Sequence, residues 1–166
     1  GHADVVSLLL DKGANVNAAT ADDGRTPLWT ASGNGHADVV RLLLAKGASV
    51  DQATTDKYEM TPLYGASQNG HTEVVKLLLD KGANVNAATA DDGQTPLYAA
   101  SRNGHADVVQ LLLAKGACVD QATTDEYEET PLFAASEQGR AEVVKLLLDK
   151  GANVNAATAN FGKTPL

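Results

Sequence analysis

The sequence predicts an all-α solenoid of stacked helix–turn–helix repeats, and two observations carry that prediction. First, Thr-Pro-Leu triplets stand at 26–28, 61–63, 95–97, 130–132 and 164–166, and they account for all five prolines of the chain. Consecutive prolines are 35, 34, 35 and 34 residues apart. Second, a V-V-x-L-L-L run recurs once in every period. A period of this size means that each unit buries its apolar face only against its neighbours, so the units stack.

The repeat has a second layer. Residues 11–28 and 80–97 differ only at Arg25 and Gln94. Residues 45–59 and 114–128 differ only at Ser49/Cys118 and Lys57/Glu126. Two repeat types therefore alternate, one of 34 and one of 35 residues, and the duplicated unit is 69 residues long.

The elements follow in order. Residues 1–25 form a partial unit with only a second helix, whose Val5, Val6, Leu9 and Leu10 lack a partner helix. Complete units are expected at 26–60, 61–94, 95–129 and 130–163, with 164–166 opening a further one. The chain is thus expected to be a piece of a longer array. In the unit 61–94, Thr61 suits a helix cap, and Pro62 suits the first helical position because its missing N–H would be unpaired there. A short helix with small residues at Ala66 and Ser67 follows, and Gly70 fits the left-handed residue that ends a helix. A second helix is expected from about His71 to Lys81, with Glu73 in its first turn and Lys81 in its last, both favourable to the helix dipole. Val74, Val75, Leu78 and Leu79 form its apolar face. Gly82 stops it. Residues 83–94, rich in Asn, Asp, Thr and Gly, read as an extended finger with a tight turn at Asp92-Gly93.

The recurring T-P-L-x-x-A, G-H-x-(D/E)-V-V-x-L-L-L and K-G-A-x-V-(N/D) motifs resemble the ankyrin repeat across essentially all 166 residues. The resemblance implies antiparallel helix pairs with β-hairpin fingers projecting at roughly a right angle. It also implies a concave face of fingers and first helices that usually binds another protein. Three departures stand out. The fingers are one or two residues longer than usual. The longer units carry Tyr58-Glu59 and Tyr127-Glu128 where the others have Asp-Gly. Finally, the histidine expected after Thr-Pro-Leu, which braces repeats in the family, is replaced by Trp29, Tyr64, Tyr98 and Phe133. The Val-Asn steps ending at Asn17, Asn86 and Asn155 resemble the asparagine that a hydroxylase modifies in animal members of the family.

Bulk properties narrow the function. A formal net charge of −8 argues against a nucleic-acid backbone or an anionic membrane surface as partner. It is compatible with a basic protein segment. The single cysteine excludes an intrachain disulfide and fits an intracellular, cytoplasmic setting. No apolar run reaches the ~18–20 residues that a membrane span needs.

No candidate for catalysis emerges. Equivalent positions on stacked helices stand ~8–10 Å apart, too far for His2, His36, His71 and His105 to share one metal. They read as residues at the start of the second helix. Asp22-Asp23 and Asp91-Asp92 read as turn formers, since a solvated tip offers no pocket to perturb their pKa values. Neither a phosphate-binding glycine loop nor a nucleophile with a matching base is present, so no metal or cofactor is expected.

The expected function is therefore binding of another protein on the concave face, without catalysis. A structural or self-associating scaffold, joined through uncapped ends, is the alternative. The candidate contacts are three groups. Trp29, Tyr64, Tyr98 and Phe133 form an aromatic column that either packs between repeats in place of the histidine or leaves gaps that a partner's side chains could enter; both roles can hold at once. Tyr58, Glu126 and Tyr127 stand at finger tips. Met60, Gln94 and Glu129 precede Thr-Pro, and Arg102 and Glu137 end first helices; by the resemblance both positions face the groove. The units disagree at these places while staying nearly identical elsewhere. Asp125, Glu126, Glu128, Glu129 and Glu137 together form an expected acidic patch for a basic segment of a partner.

Overall fold

Each of the first four Thr-Pro-Leu triplets opens a helix by the chemistry its residues offer. The threonine hydroxyls of Thr26, Thr61, Thr95 and Thr130 accept from the backbone N–H of Trp29, Tyr64, Tyr98 and Phe133 at 3.1–3.2 Å. Proline holds the first helical position in each case. A computed structural model of the chain describes residues 1–159 and 162–166. Residues 160 and 161, within the expected unit 130–163, lie outside the described residues.

Among the described residues there are nine helices. They are α1 (Ala3–Asp11), α2 (Pro27–Gly33), α3 (Ala37–Ala45), α4 (Pro62–Gln68), α5 (Thr72–Asp80), α6 (Pro96–Asn103), α7 (Ala106–Ala114), α8 (Pro131–Glu137) and α9 (Ala141–Asp149). The short helices α2, α4, α6 and α8 stack in one row, and α1, α3, α5, α7 and α9 stack in a second row behind them. This is the all-α repeat solenoid that the period predicts. No helix among the described residues is long and apolar enough to cross a membrane.

The core is a ladder of repeated positions. Leu28, Leu63, Leu97 and Leu132 from the first row meet Leu43, Leu78, Leu112 and Leu147 from the second, all fully buried. Each such leucine contributes ~1.5–3 kcal/mol by leaving water. In contrast, α1 has no fully buried residue, and its Val5, Leu8 and Leu9 are exposed.

The histidine column does more than start helices. His36, His71 and His105 occupy the cap position of the second helices, yet none makes a side-chain cap bond. Instead their rings reach back one repeat. His71 Nε2 donates to the Gly33 carbonyl at 3.1 Å, and His105 Nε2 to the Gln68 carbonyl at 3.0 Å. Arg140 takes over this role at the fifth place, its Nε donating to the Arg102 carbonyl at 3.2 Å. Gly70 makes room for this: a Cβ there would lie 2.5 Å from His105 Nδ1, and its φ is +73°.

The fingers differ from the expected β-hairpins, since no strand forms among the described residues. Each finger is closed across its arms by one backbone bond, as from Thr89 N–H to the Gln94 carbonyl at 3.0 Å or from Thr123 N–H to the Glu129 carbonyl at 3.0 Å, and the glycine tips add a tight-turn bond such as Gly93 N–H to the Thr89 carbonyl at 3.1 Å. One further bond joins each finger to the next, including Ala90 N–H to the Tyr58 carbonyl and Thr124 N–H to the Asp92 carbonyl. A ladder needs a run of alternating pairs, and arms this short close only one. A side chain of each unit also braces the next. Asn17 Oδ1 accepts from Ser49 N–H, Asn86 Oδ1 from Cys118 N–H, Asp51 from Asn84 N–H and Asp120 from Asn153 N–H, at 2.9–3.2 Å. That is the physical reason for Asn or Asp after each K-G-A-x-V.

Candidate functional site

The set of fingers and short first helices (α2, α4, α6 and α8) carries all the candidate contacts. Three of the four aromatics are not available on it. Tyr64, Tyr98 and Phe133 keep 5%, 3% and 7% of their surface, so the expectation that they serve as contact anchors is corrected. The gaps between the rings are filled from within: the residue before the next Thr-Pro closes over each tyrosine. Tyr64 Oη donates to Gln94 Oε1 at 2.8 Å. Tyr98 Oη donates to Glu129 Oε2 at 2.6 Å. Gln94 is held in turn, its Nε2 donating to Asp92 Oδ2 at 2.7 Å.

Both phenols are harder to ionise than a free tyrosine. Burial pushes the Tyr64 pKa up to about 12, helped by the negative charge of Asp92 and opposed by Arg102. The Tyr98 pKa is also raised, first by burial and then by its hydrogen bond to the Glu129 carboxylate. Arg102 opposes this shift too, so its guanidinium is within electrostatic reach of both phenols. The Arg102 side chain is exposed.

The two positions without a tyrosine are built differently. Trp29 is half-buried, with the Arg25 guanidinium 4.7 Å from its ring centre. Arg25 also pairs with Asp23 at 2.7 Å. Met60, at the place matching Gln94, is half-buried and has no polar group to answer a hydroxyl. Phe133 lines a recess of about 230 Å³ with Tyr127, Glu129, Glu137, Thr158 and Lys163. This recess lies between a finger and a first helix.

The finger tips are exposed. Tyr58 and Tyr127 keep 39% and 40% of their surface. Beside Tyr58, Lys57 Nζ lies 4.6 Å from the ring centre and 3.3 Å from Asp91 Oδ2 on the next finger. The tip without glycine is solved by a carboxylate. Asp56 Oδ1 accepts from Thr54 Oγ1, Tyr58 N–H and Glu59 N–H at 2.8–3.3 Å. Asp125 makes the same set of bonds in the later unit. This lets Glu59 and Glu128 adopt φ of +49° and +52°.

The expected acidic group is only partly a free surface. Glu128 and Glu137 are exposed, Glu126 is exposed but engaged by its neighbour Tyr127, Asp125 is engaged in the tip and Glu129 is engaged by Tyr98. Among the described residues no three His, Cys, Asp or Glu side chains gather to hold a metal. Cys118 is exposed.

A family model described as ankyrin repeats, in three copies, matches residues 1–89 and 87–158. No curated protein matches the chain.

Proposed function

Because the chain belongs to the ankyrin repeat family, we propose that it is a non-catalytic module that binds another protein on the face formed by its fingers and first helices. Ankyrin repeats are generally protein–protein interaction modules. One observation supports this face in particular. Units that are otherwise near-identical differ at Arg25, Met60, Gln94, Glu129 and Lys163 before Thr-Pro, and at Gly33, Gln68, Arg102 and Glu137 near the first-helix ends. Gln94 and Glu129 answer the buried tyrosines, so part of that variation is internal fitting. The first-helix ends have no such duty. Their variation is left for a partner.

The exposed carboxylates Glu126, Glu128 and Glu137 favour a basic stretch of that partner. Such docking gains rate from electrostatic steering and weakens with salt over a screening length of ~8 Å. Affinity capture on the immobilised chain identifies a partner. Glu126→Lys with Glu137→Gln then restores the residues that the earlier unit carries at Lys57 and Gln68. Glu129 is left alone because Tyr98 depends on it. The double change weakens binding and flattens its salt dependence, while Lys145→Gln on α9 does neither. Equal binding by wild type and the double variant would remove the acidic docking. Loss of binding in the α9 variant alone would move the site to the other row.

A further inference from the structure

The first-helix row carries two charges side by side that do not satisfy each other. The places near the ends of α2, α4, α6 and α8 read Gly33, Gln68, Arg102 and Glu137. Only the last two are charged, with opposite signs on adjacent helices. Among the described residues, the Arg102 guanidinium makes no hydrogen bond or ion pair. Glu137 accepts only a long 3.3 Å bond from the neighbouring Gln138 amide. Opposite charges on neighbouring helices that do not pair with each other stay available as two docking points of opposite sign.

Their platform is held in place. The Arg102 carbonyl is held by Arg140 Nε at 3.2 Å, and Asn103 Nδ2 ties the same helix end to the Ala99 carbonyl at 2.9 Å. Tyr64 and Tyr98 are hydrogen-bonded to Gln94 and Glu129, so neither phenol competes for the guanidinium. A planar guanidinium on a firm base recognises a carboxylate in a two-point bond.

The spacing selects the conformation of the ligand. Adjacent packed helices lie ~8–10 Å apart. A polyproline-II segment has three residues per turn and a rise of ~3.1 Å, so it returns a side chain to the same edge every ~9 Å. A β-strand places residues three apart on opposite faces. Resting on the protein-binding role proposed above, we propose that the groove takes an extended, polyproline-II-like protein segment with an acidic and a basic side chain three residues apart. The acid meets Arg102 and the base meets Glu137.

The probe is a displayed random-peptide library selected on the immobilised chain, on Arg102→Glu, and on Gln68→Trp, which fills the groove one helix earlier. Peptides selected on wild type carry an acid and a base three residues apart. Those selected on Arg102→Glu carry two bases at that spacing, and wild-type peptides lose affinity for this variant by about tenfold or more, since like charges then face each other. Peptides that are blocked by Gln68→Trp yet lack the charged pair overturn this inference and leave the binding face intact. Peptides indifferent to Gln68→Trp, or no selected peptide at all, overturn both.

Discussion

Tyr98 and Glu129 stand at opposite ends of one repeat, and the phenol of the first donates to the carboxylate of the second at 2.6 Å. One repeat back, Tyr64 and Gln94 make the same contact at 2.8 Å. Where the aromatic has no hydroxyl, at Trp29 and Phe133, the matching positions hold Met60 and Lys163. Two columns that look independently variable are therefore matched to each other.

Removing the acceptor alone leaves a buried hydroxyl without a partner. Glu129→Met is expected to destabilise the chain by ~1–3 kcal/mol. Tyr98→Phe together with Glu129→Met recovers most of that loss, because donor and acceptor leave together. Urea denaturation of wild type, both single variants and the double variant gives the coupling. Additive losses would show that the contact does not matter.

The same burial predicts an alkaline limit. The Tyr64 pKa rises from 10.0 to about 12 on folding, so the folded chain holds its phenolic proton more tightly than the unfolded chain. Stability from this group is fully present below pH 10 and falls as pH rises towards 12. Tyr98 adds to the fall in the same direction. Denaturation midpoints measured from pH 9 to 12 fall in wild type, and the fall is shallower in Tyr64→Phe/Tyr98→Phe.

At the finger tips, left-handed backbone at a residue with a Cβ costs ~1–2 kcal/mol. Glu59 and Glu128 bear that cost. Glu128→Gly is expected to stabilise by about 0.5–1 kcal/mol, less than the full strain because glycine also loosens the unfolded chain. The reverse change is harmful. A Cβ on Gly93 would lie 2.5 Å from Thr124 Oγ1 and 2.8 Å from the Thr124 backbone nitrogen, and φ there is +69°. Thermal melts of Glu128→Gly and Gly93→Ala should move in opposite directions.

The brace at Asn86 gives a further contrast. Its Oδ1 accepts from the backbone N–H of Cys118, not from the thiol. Asn86→Ala is expected to cost ~0.5–1.5 kcal/mol, the net worth of a hydrogen bond whose N–H water then reaches. Cys118→Ser leaves stability unchanged, because Ser49 offers the same N–H to Asn17 at 2.9 Å. The exposed Cys118 thiol reacts with a thiol reagent in the native state. Resistance to that reagent would contradict its placement.

The period, the Thr-Pro caps and the apolar faces were legible because each follows from local chemistry within one unit. What stayed hidden depends on pairs about one period apart. His71 reaches Gly33, and Tyr98 reaches Glu129; neither bond has a local signature. Trp29, Tyr64, Tyr98 and Phe133 could by sequence pack between repeats or face the groove; three are buried, and the last residue of the same unit closes over each tyrosine. The fingers read as hairpins from composition, but arms that close one bond do not build a strand. The exposure and free state of Arg102 also needed the structure, since a charge in a variable column does not show whether it is already paired.

The most direct measurement of the binding role is amide chemical-shift mapping of the labelled chain with a peptide selected as above. Shifts concentrate at Gln68, Arg102, Asn103, Glu137 and the finger residues 125–129 if the groove binds the peptide, with α5, α7 and α9 unmoved on their outer faces. Shifts confined to the second-helix row, with the first-helix ends unchanged, would contradict binding in the groove.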